Sequence, residues 1–281
     1  MNLKKELKQV VTDIEKVFPF DNYISANTYH EMYAILHELR KFLSEFEQKR
    51  LLDIGSGPMD KTGIFQMMGF RCHAVDDLND PWHQRNGNIR KIKEYAKRLN
   101  INFYHQRLGD YTIPFEASSF DVVCSFAVIE HLHESPRGLL NSMGNCARPG
   151  GLIVITMPNS VHLKKRLSVL LGSSNYPPVE MFYHSIGTWR GHVREYTLDE
   201  TVYICKESGF KVLSSTTFEC IAYDKLNFPL RHLYLLLGSI VSTLRSSHLV
   251  ICKKPEDWKP VKDSPEAYRK ALARGVPKGV A

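Results

Sequence analysis

Apolar residues recur every three or four positions at the start of the chain: Leu3, Leu7, Val10 and Val11, then Tyr33, Leu36, Leu39 and Leu43. That spacing lines one face of a helix, so residues 1–48 read as an N-terminal helical segment. Phe18-Pro19-Phe20-Asp21 divides it in two. The pattern then changes to short apolar runs alternating with helical stretches. Leu51–Ile54, Arg71–Val75, Ile101–His105, Phe120–Phe126 and Leu152–Thr156 read as strands. Asp60–Met68, Ile89–Leu99 and Pro136–Cys146 read as helices, with Asp60 as an N-cap and Gly69 as a stop. The turn Arg148-Pro149-Gly150-Gly151 feeds the fifth run. Further on, Thr197–Ser208 is helical up to Gly209, Phe210–Leu213 opens a strand and Leu249–Cys252 closes the sheet.

Strands alternating with helices predict an α/β fold with a doubly wound, mostly parallel sheet. Its domain spans residues 49–253 and carries two insertions. Residues 158–196 are basic and aromatic and read as a cap over the site; residues 218–246 form an apolar helical insertion. The charged tail 254–281, with a helix starting at Ser264-Pro265, is expected to be peripheral. Ligands of such sheets bind at the carboxyl ends of the strands, so Gly55, Asp76, Asp110 and Phe126 should converge there.

Composition narrows the picture. A chain of 281 residues suffices for one large domain, or a core domain with a cap. The net charge of +7 suits either an anionic partner or simply a soluble basic surface. Six cysteines lie scattered without a Cys-x-x-Cys pair, which fits reduced core thiols in the cytoplasm rather than a disulfide framework or a zinc site. MNLKKELKQV has no apolar signal core, and the apolar stretch Leu233–Leu244 is too short to span a bilayer, so a soluble protein is expected.

The chemistry starts at Leu52-Asp53-Ile54-Gly55-Ser56-Gly57. A strand closing in Gly-x-Gly opens a nucleotide-binding unit. A dinucleotide, however, needs a helix N-terminus free of negative charge, and here Asp53 and Asp60 flank the turn. Both acids would repel a pyrophosphate and suit a cationic ligand that lacks phosphate. Asp76, at the end of the second strand, stands where an acid would take ribose hydroxyls.

The pieces Leu52–Gly57, Val75-Asp76, Gly109–Phe115, Ser119–Val123, Val128-Ile129-Glu130-His131-Leu132 and Arg148–Leu152 occur in the order and spacing of a known group. The chain resembles the class I, Rossmann-like S-adenosylmethionine-dependent methyltransferases, specifically a small-molecule and saccharide branch. Gly191–Thr197 and Met157-Pro158-Asn159 resemble later parts of that branch. The resemblance implies a seven-stranded sheet, S-adenosylmethionine as cofactor and S-adenosylhomocysteine as product. It further implies that Gly55, Ser56 and Gly57 admit the methionine part while Asp53 helps to hold its amino group. Asp76 is then placed on the ribose, Asp110 on the adenine amino group, Tyr111 beside the ring and Phe126 at the methionine end. One departure is Met59, where the fuller motif has a third glycine.

Methyl transfer to an alcohol needs alignment and a base. His131, five residues past the strand Phe120–Phe126, is the first candidate, with His192 and Tyr196 next; each also reads as a residue that packs or caps a loop. Asn159, Arg190, Arg194 and Tyr196 are candidates for holding a small-molecule or saccharide acceptor, phosphorylated or not. His131 and His133 do not share a helical face and no third ligand has obvious spacing, so transfer is expected to need no metal. A nucleic-acid acceptor finds no RNA-binding module and no Asn/Asp-Pro-Pro-Tyr/Phe tetrapeptide to support it. Nitrogen or carbon methylation and a non-catalytic partner subunit stay as alternatives. Leu230–Leu244, with Arg231 and Arg245 near its ends, reads either as a helix touching lipid or as a core or dimer helix.

Overall fold

A computed structural model describes residues 2–106, 112–220 and 228–275. Helix α1 (Leu3–Val17) starts at Asn2, whose side chain accepts the Lys4 N–H, and α2 (Ala26–Leu39) follows the Phe18–Asp21 break. Next come β1 (Arg50–Ile54), α3 (Asp60–Met67), β2 (Arg71–Asp76), α4 (Asn88–Arg98), β3 (Asn102–His105) and β4 (Phe120–Phe126). They are followed by α5 (Arg137–Cys146), β5 (Ala147–Pro158), α6 (Leu163–Leu170), α7 (Val179–Tyr183) and α8 (Leu198–Glu207). The chain ends with β6 (Lys211–Phe218), α9 (Phe228–Ile240), β7 (Ser247–Lys253) and α10 (Pro265–Gly275).

The strands form one seven-stranded sheet in the order β3-β2-β1-β4-β5-β7-β6. Pairings from β3 across to β5 are parallel, while β7 runs antiparallel to both β5 and β6. Period-two alternation divides the core between the two faces. Leu51, Val122 and Val154 pack with α1, α2 and α3 residues on one side, and Leu52, Val123 and Ile153 pack with α5 and α8 residues on the other. Both faces are covered, which is why the strands read as mostly apolar runs.

Three expectations shift. The turn at Arg148–Gly151 is absorbed into β5, which starts at Ala147 and takes up the extra residues as a register shift opposite Phe120/Val122. Gly151 permits this, since a Cβ there would stand 2.8 Å from the Arg148 carbonyl oxygen. Asp60 is the first residue of α3 rather than its cap, and Met59 flanks it in the left-handed region at φ 63°. The start of the tail is docked, not peripheral. Trp258 stacks on Phe210, donates its indole N–H to the Ser208 carbonyl at 2.8 Å and covers Gly144. Asn141 exchanges two hydrogen bonds with the Val261 backbone, and only beyond it is α10 exposed.

Candidate active site

The parallel strands end at one edge, and the loops beyond them hold the polar residues. After β1 the backbone turns through Gly55 (φ 77°), Gly57 (φ 52°) and Met59 (φ 63°). Val128 fills the space beside Gly55, where a Cβ would lie 2.5 Å from its methyl carbon. A Cβ at Gly57 would meet no heavy atom of the described residues closer than His83 Nε2 at 4.0 Å, so the turn leaves an open cradle. Met59 keeps the backbone shape a third glycine would give and adds a fully buried side chain to the core.

The Gly57 N–H donates to Asp76 Oδ2 at 2.8 Å, and the Leu78 N–H to Asp76 Oδ1 at 2.7 Å. These bonds fix the carboxylate beside the cradle, and burial raises its pKa despite them. Asp53 is buried at the end of β1; Thr62 donates to its Oδ2 at 2.6 Å, and its Oδ1 has no partner among the described residues. Burial pushes its pKa up to about 7. The buried Ser56 hydroxyl likewise has no hydrogen-bond partner among the described residues. A buried carboxylate and a hydroxyl with spare capacity, beside a turn that lacks side chains, fit the ammonium and sulfonium of S-adenosylmethionine. Phe126, by contrast, stacks on Phe65 of α3 with ring centroids 5.8 Å apart, within the core. Asp110 and Tyr111 lie outside the described residues.

The cap closes on the loop after β4. The Glu130 carbonyl accepts the Val193 N–H at 2.7 Å, and His131 Nδ1 lies 2.8 Å from the Arg190 carbonyl oxygen. That partner makes Nδ1 the protonated nitrogen of a neutral ring. Burial, with His192 beside it, lowers the His131 pKa. His192 meets His131 edge to face at 4.8 Å, and its Nδ1 stands 2.8 Å from Glu195 Oε1. The Glu195 bond raises the His192 pKa. Burial pushes Glu195 up, but its bonds to His192 and Lys165 outweigh this and leave it below the usual carboxylate range. The Glu130 side chain is fully buried, with neither oxygen hydrogen-bonded among the described residues and Oε1 4.0 Å from His192 Nε2.

One ligand atom each from Glu130, His131 and His192 lies within 4.8 Å of the others, a grouping that a divalent cation would draw together. Sequence reasoning missed it because it sought a third ligand near His133, whereas His192 arrives from the cap. His133 instead faces the Trp189 carbonyl at 2.8 Å. Glu195, Glu31 and Lys61 were also missed. Lys61 Nζ lies 3.5 Å from Glu31 of α2 and 3.8 Å from Asp60. Burial opposes its charge, but Asp60 and Glu31 hold its pKa well above the ordinary value. Glu31 in turn accepts from Thr156 of β5 at 3.3 Å, so the N-terminal helices reach the site edge.

The four candidate acceptor residues are engaged within the protein. Asn159 donates to the Thr243 and Arg245 carbonyls at 2.9 and 2.8 Å and accepts the Val161 N–H. Arg190 pairs with Asp77 at 2.9 Å, fastening the cap to the end of β2. Arg194 pairs with Glu200 at 2.8 Å and lies over the Tyr196 ring. Tyr196 is buried and bridges to Asn159. His192 also borders a cavity of about 760 Å³ lined mostly by apolar cap residues, among them Tyr176, Pro178, Val179, Phe182 and Trp189.

A parallel sheet with β7 reversed, a glycine cradle after β1, an acid at the end of β2 and a cap over β4 define the class I S-adenosylmethionine-dependent methyltransferase architecture. The methyltransferase domain family matches residues 28–215, and the chain belongs to that family. An S-adenosylmethionine-dependent methyltransferase from Aquifex aeolicus superposes with TM-score 0.51 at 15% identity, covering 87% of this chain and 98% of that one. Phosphoethanolamine N-methyltransferase 2 of Haemonchus contortus gives TM-score 0.53 at 21% identity over 87% of this chain and 56% of that one. In sequence, the ubiquinone biosynthesis O-methyltransferase of Caulobacter sp. (strain K31) is 29% identical over 115 residues, 41% of this chain and 42% of that protein. The mitochondrial ubiquinone biosynthesis O-methyltransferase of Dictyostelium discoideum is 28% identical over 83 residues, 30% of this chain and 25% of that protein.

Proposed function

We propose that the protein methylates a hydroxyl of a small molecule, with His192 as general base. The observation that carries this reading is the Glu195–His192 pair on the wall of the cap cavity. S-adenosylmethionine, when bound, supplies an electrophilic methyl group whose sulfonium leaves as the neutral thioether of S-adenosylhomocysteine. Asp53, Ser56 and the Gly55–Gly57 turn hold its methionine part, and Asp76 takes the ribose hydroxyls. Glu195 accepts a hydrogen bond from His192 Nδ1–H and so leaves Nε2 unprotonated, free to take the acceptor's hydroxyl proton as the oxygen attacks the methyl group. His131, bonded to the Arg190 carbonyl, positions the cap over that point. The ubiquinone O-methyltransferase relatives support hydroxyl methylation, and the aromatic wall supports an acceptor with an apolar body. A saccharide or glycan intermediate would have to stack on that same wall.

The test is S-adenosylhomocysteine release with matched panels of phenolic, aliphatic and sugar alcohols, followed by two variants on the best acceptor. His192→Ala should lower kcat by ~10²–10⁴-fold with S-adenosylhomocysteine affinity unchanged. Glu195→Gln should cost about tenfold and shift the pH profile. Turnover that survives His192→Ala removes the base assignment. Turnover only with amines would replace the hydroxyl reading.

The Glu130, His131 and His192 grouping favours a second reading, in which a divalent cation binds and acidifies the acceptor hydroxyl. Loss of activity on chelation, restored by magnesium or zinc, would select it; activity indifferent to chelators leaves His192 as the base.

A further inference from the structure

The apolar cavity beside His192 has a polar neighbour. A second cavity, of about 540 Å³, adjoins it, and Tyr176, His192 and Val193 border both. Each volume falls within the ~300–1,000 Å³ that ligand pockets occupy. The first is lined mostly by rings, prolines and valines. The second is lined by the start of α8, by Lys165 of α6 and by Ser160, Asn175 and Arg194. His192 therefore stands where an apolar chamber meets a polar one. The bond from the Val193 N–H to the Glu130 carbonyl, at 2.7 Å, fixes that boundary to the loop after β4.

Charge in the second cavity is cancelled within its own wall. Glu195 uses both oxygens, one on His192 Nδ1 at 2.8 Å and the other on Lys165. Glu200 accepts from Arg194 on Oε1 and from the Thr197 N–H on Oε2, each at 2.8 Å. The acids thus balance the cations, and the carboxylate oxygens are taken. What is left over is mostly donors. Lys165 and Arg194 keep further N–H groups, and the side chains of Asn175 and Ser160 make no hydrogen bond among the described residues. A phosphate or carboxylate would meet Glu195 and Glu200 at short range, and an ammonium would meet Lys165 and Arg194. A neutral group rich in hydroxyl, ether or carbonyl oxygens takes the spare donors without either repulsion.

We propose that the polar cavity is the second half of the acceptor site. The acceptor is then an amphiphile, with an apolar ring or chain in the first cavity joined to a neutral, oxygen-rich group in the second. This deepens the hydroxyl reading above and rests on it: with His192 as base on the boundary, the methylated hydroxyl lies next to the join. A phosphorylated acceptor does not suit such a cavity.

The experiment is equilibrium dialysis of the full chain, saturated with S-adenosylhomocysteine, against para-nitrophenol, para-nitrophenyl glucoside and para-nitrophenyl phosphate. The glucoside should bind about tenfold or more tighter than nitrophenol, and the phosphate no tighter than nitrophenol. Asn175→Leu should remove most of the glucoside's advantage and leave nitrophenol binding unchanged. Phe182→Ala, in the first cavity, should weaken both by roughly the same several-fold factor. Both variants should keep the wild-type affinity for S-adenosylhomocysteine, which certifies the fold. Equal binding of glucoside and nitrophenol overturns the proposal, as does a glucoside advantage that survives Asn175→Leu. Tighter binding of the phosphate replaces the neutral group with an anion. Failure of nitrophenol itself to bind overturns the use of the apolar cavity, whereas the role of His192 as base is judged separately, by turnover.

Discussion

Two glycines two residues apart do different work, and substitutions should separate them. At Gly55 both the left-handed backbone and Val128 oppose a side chain. Gly55→Ala should destabilise the protein by ~2–4 kcal/mol, as measured by denaturant unfolding. Gly57 meets only the backbone penalty, because its surroundings are open. Gly57→Ala should cost ~1 kcal/mol of stability yet weaken S-adenosylhomocysteine binding more than tenfold, since its methyl group enters the cradle. Equal stability losses with unchanged affinity would show that the cradle is not the cofactor turn.

Asp53 carries the pH dependence at the same scale. It faces Lys61 and Asp60 from α3, Asp76 and Cys72 from β2 and Cys124 from β4, with Thr62 on one oxygen. Its folded pKa of about 7 lies above the ordinary 3.8, so the folded state holds a proton that the unfolded chain has released. Stability from this group is therefore greatest in acid and falls as pH rises from about 4 to about 7. Cofactor binding runs the other way, because the ammonium needs the carboxylate ionised. Calorimetric affinity for S-adenosylhomocysteine should fall about tenfold per pH unit below about 7. Asp53→Asn should flatten that slope and raise the midpoint of thermal unfolding at pH above about 7. A flat wild-type profile would remove Asp53 from the cofactor site.

At the scale of elements, the segment after β7 anchors α5 and α8. Trp258 rests on Gly144 of α5 and on Gly209 and Phe210 just past α8. Lys254 is buried and donates to the Ala147 carbonyl at 2.8 Å. Trp258→Ala should cost ~2–4 kcal/mol in denaturant unfolding, below the full core value because the ring is half-buried. Truncation after Val261, which removes α10 but keeps this anchor, should cost far less. The cap depends on a different set of ties, Arg190 to Asp77, His131 to the Arg190 carbonyl and Glu130 to the Val193 N–H. Each joins residues 190–193 to the chain just past β2 or β4, so the cap is held to the ends of those two strands.

For the whole molecule, the seven-stranded sheet forms the core and two insertions interrupt it, after β5 and after β6. The insertion helices α6 and α7 bury no residue, whereas β1, β4 and β5 are sealed on both faces. That division also explains what the sequence made legible. Mostly apolar runs at Leu51–Ile54 and Phe120–Phe126 declared buried strands, because a parallel sheet covered on both faces takes apolar side chains at most positions. Asp53, Gly55, Gly57 and Asp76 were legible for a local reason: a turn needing positive φ and a strand-end acid lie within one β-α-β unit, and short-range spacing reports their geometry. Contacts across the chain left no such trace. Glu130 and Glu195 look like ordinary surface acids until folding buries them beside His192. Arg190 and Arg194 look like free phosphate ligands until Asp77 and Glu200 take their charges. The sequence by itself determined the sheet, the glycine turn after β1 and the family, through periodicity, local backbone demands and the order of its motifs. Only the tertiary structure decided which side chains meet across the cap, because burial and long-range pairing are properties of three-dimensional proximity.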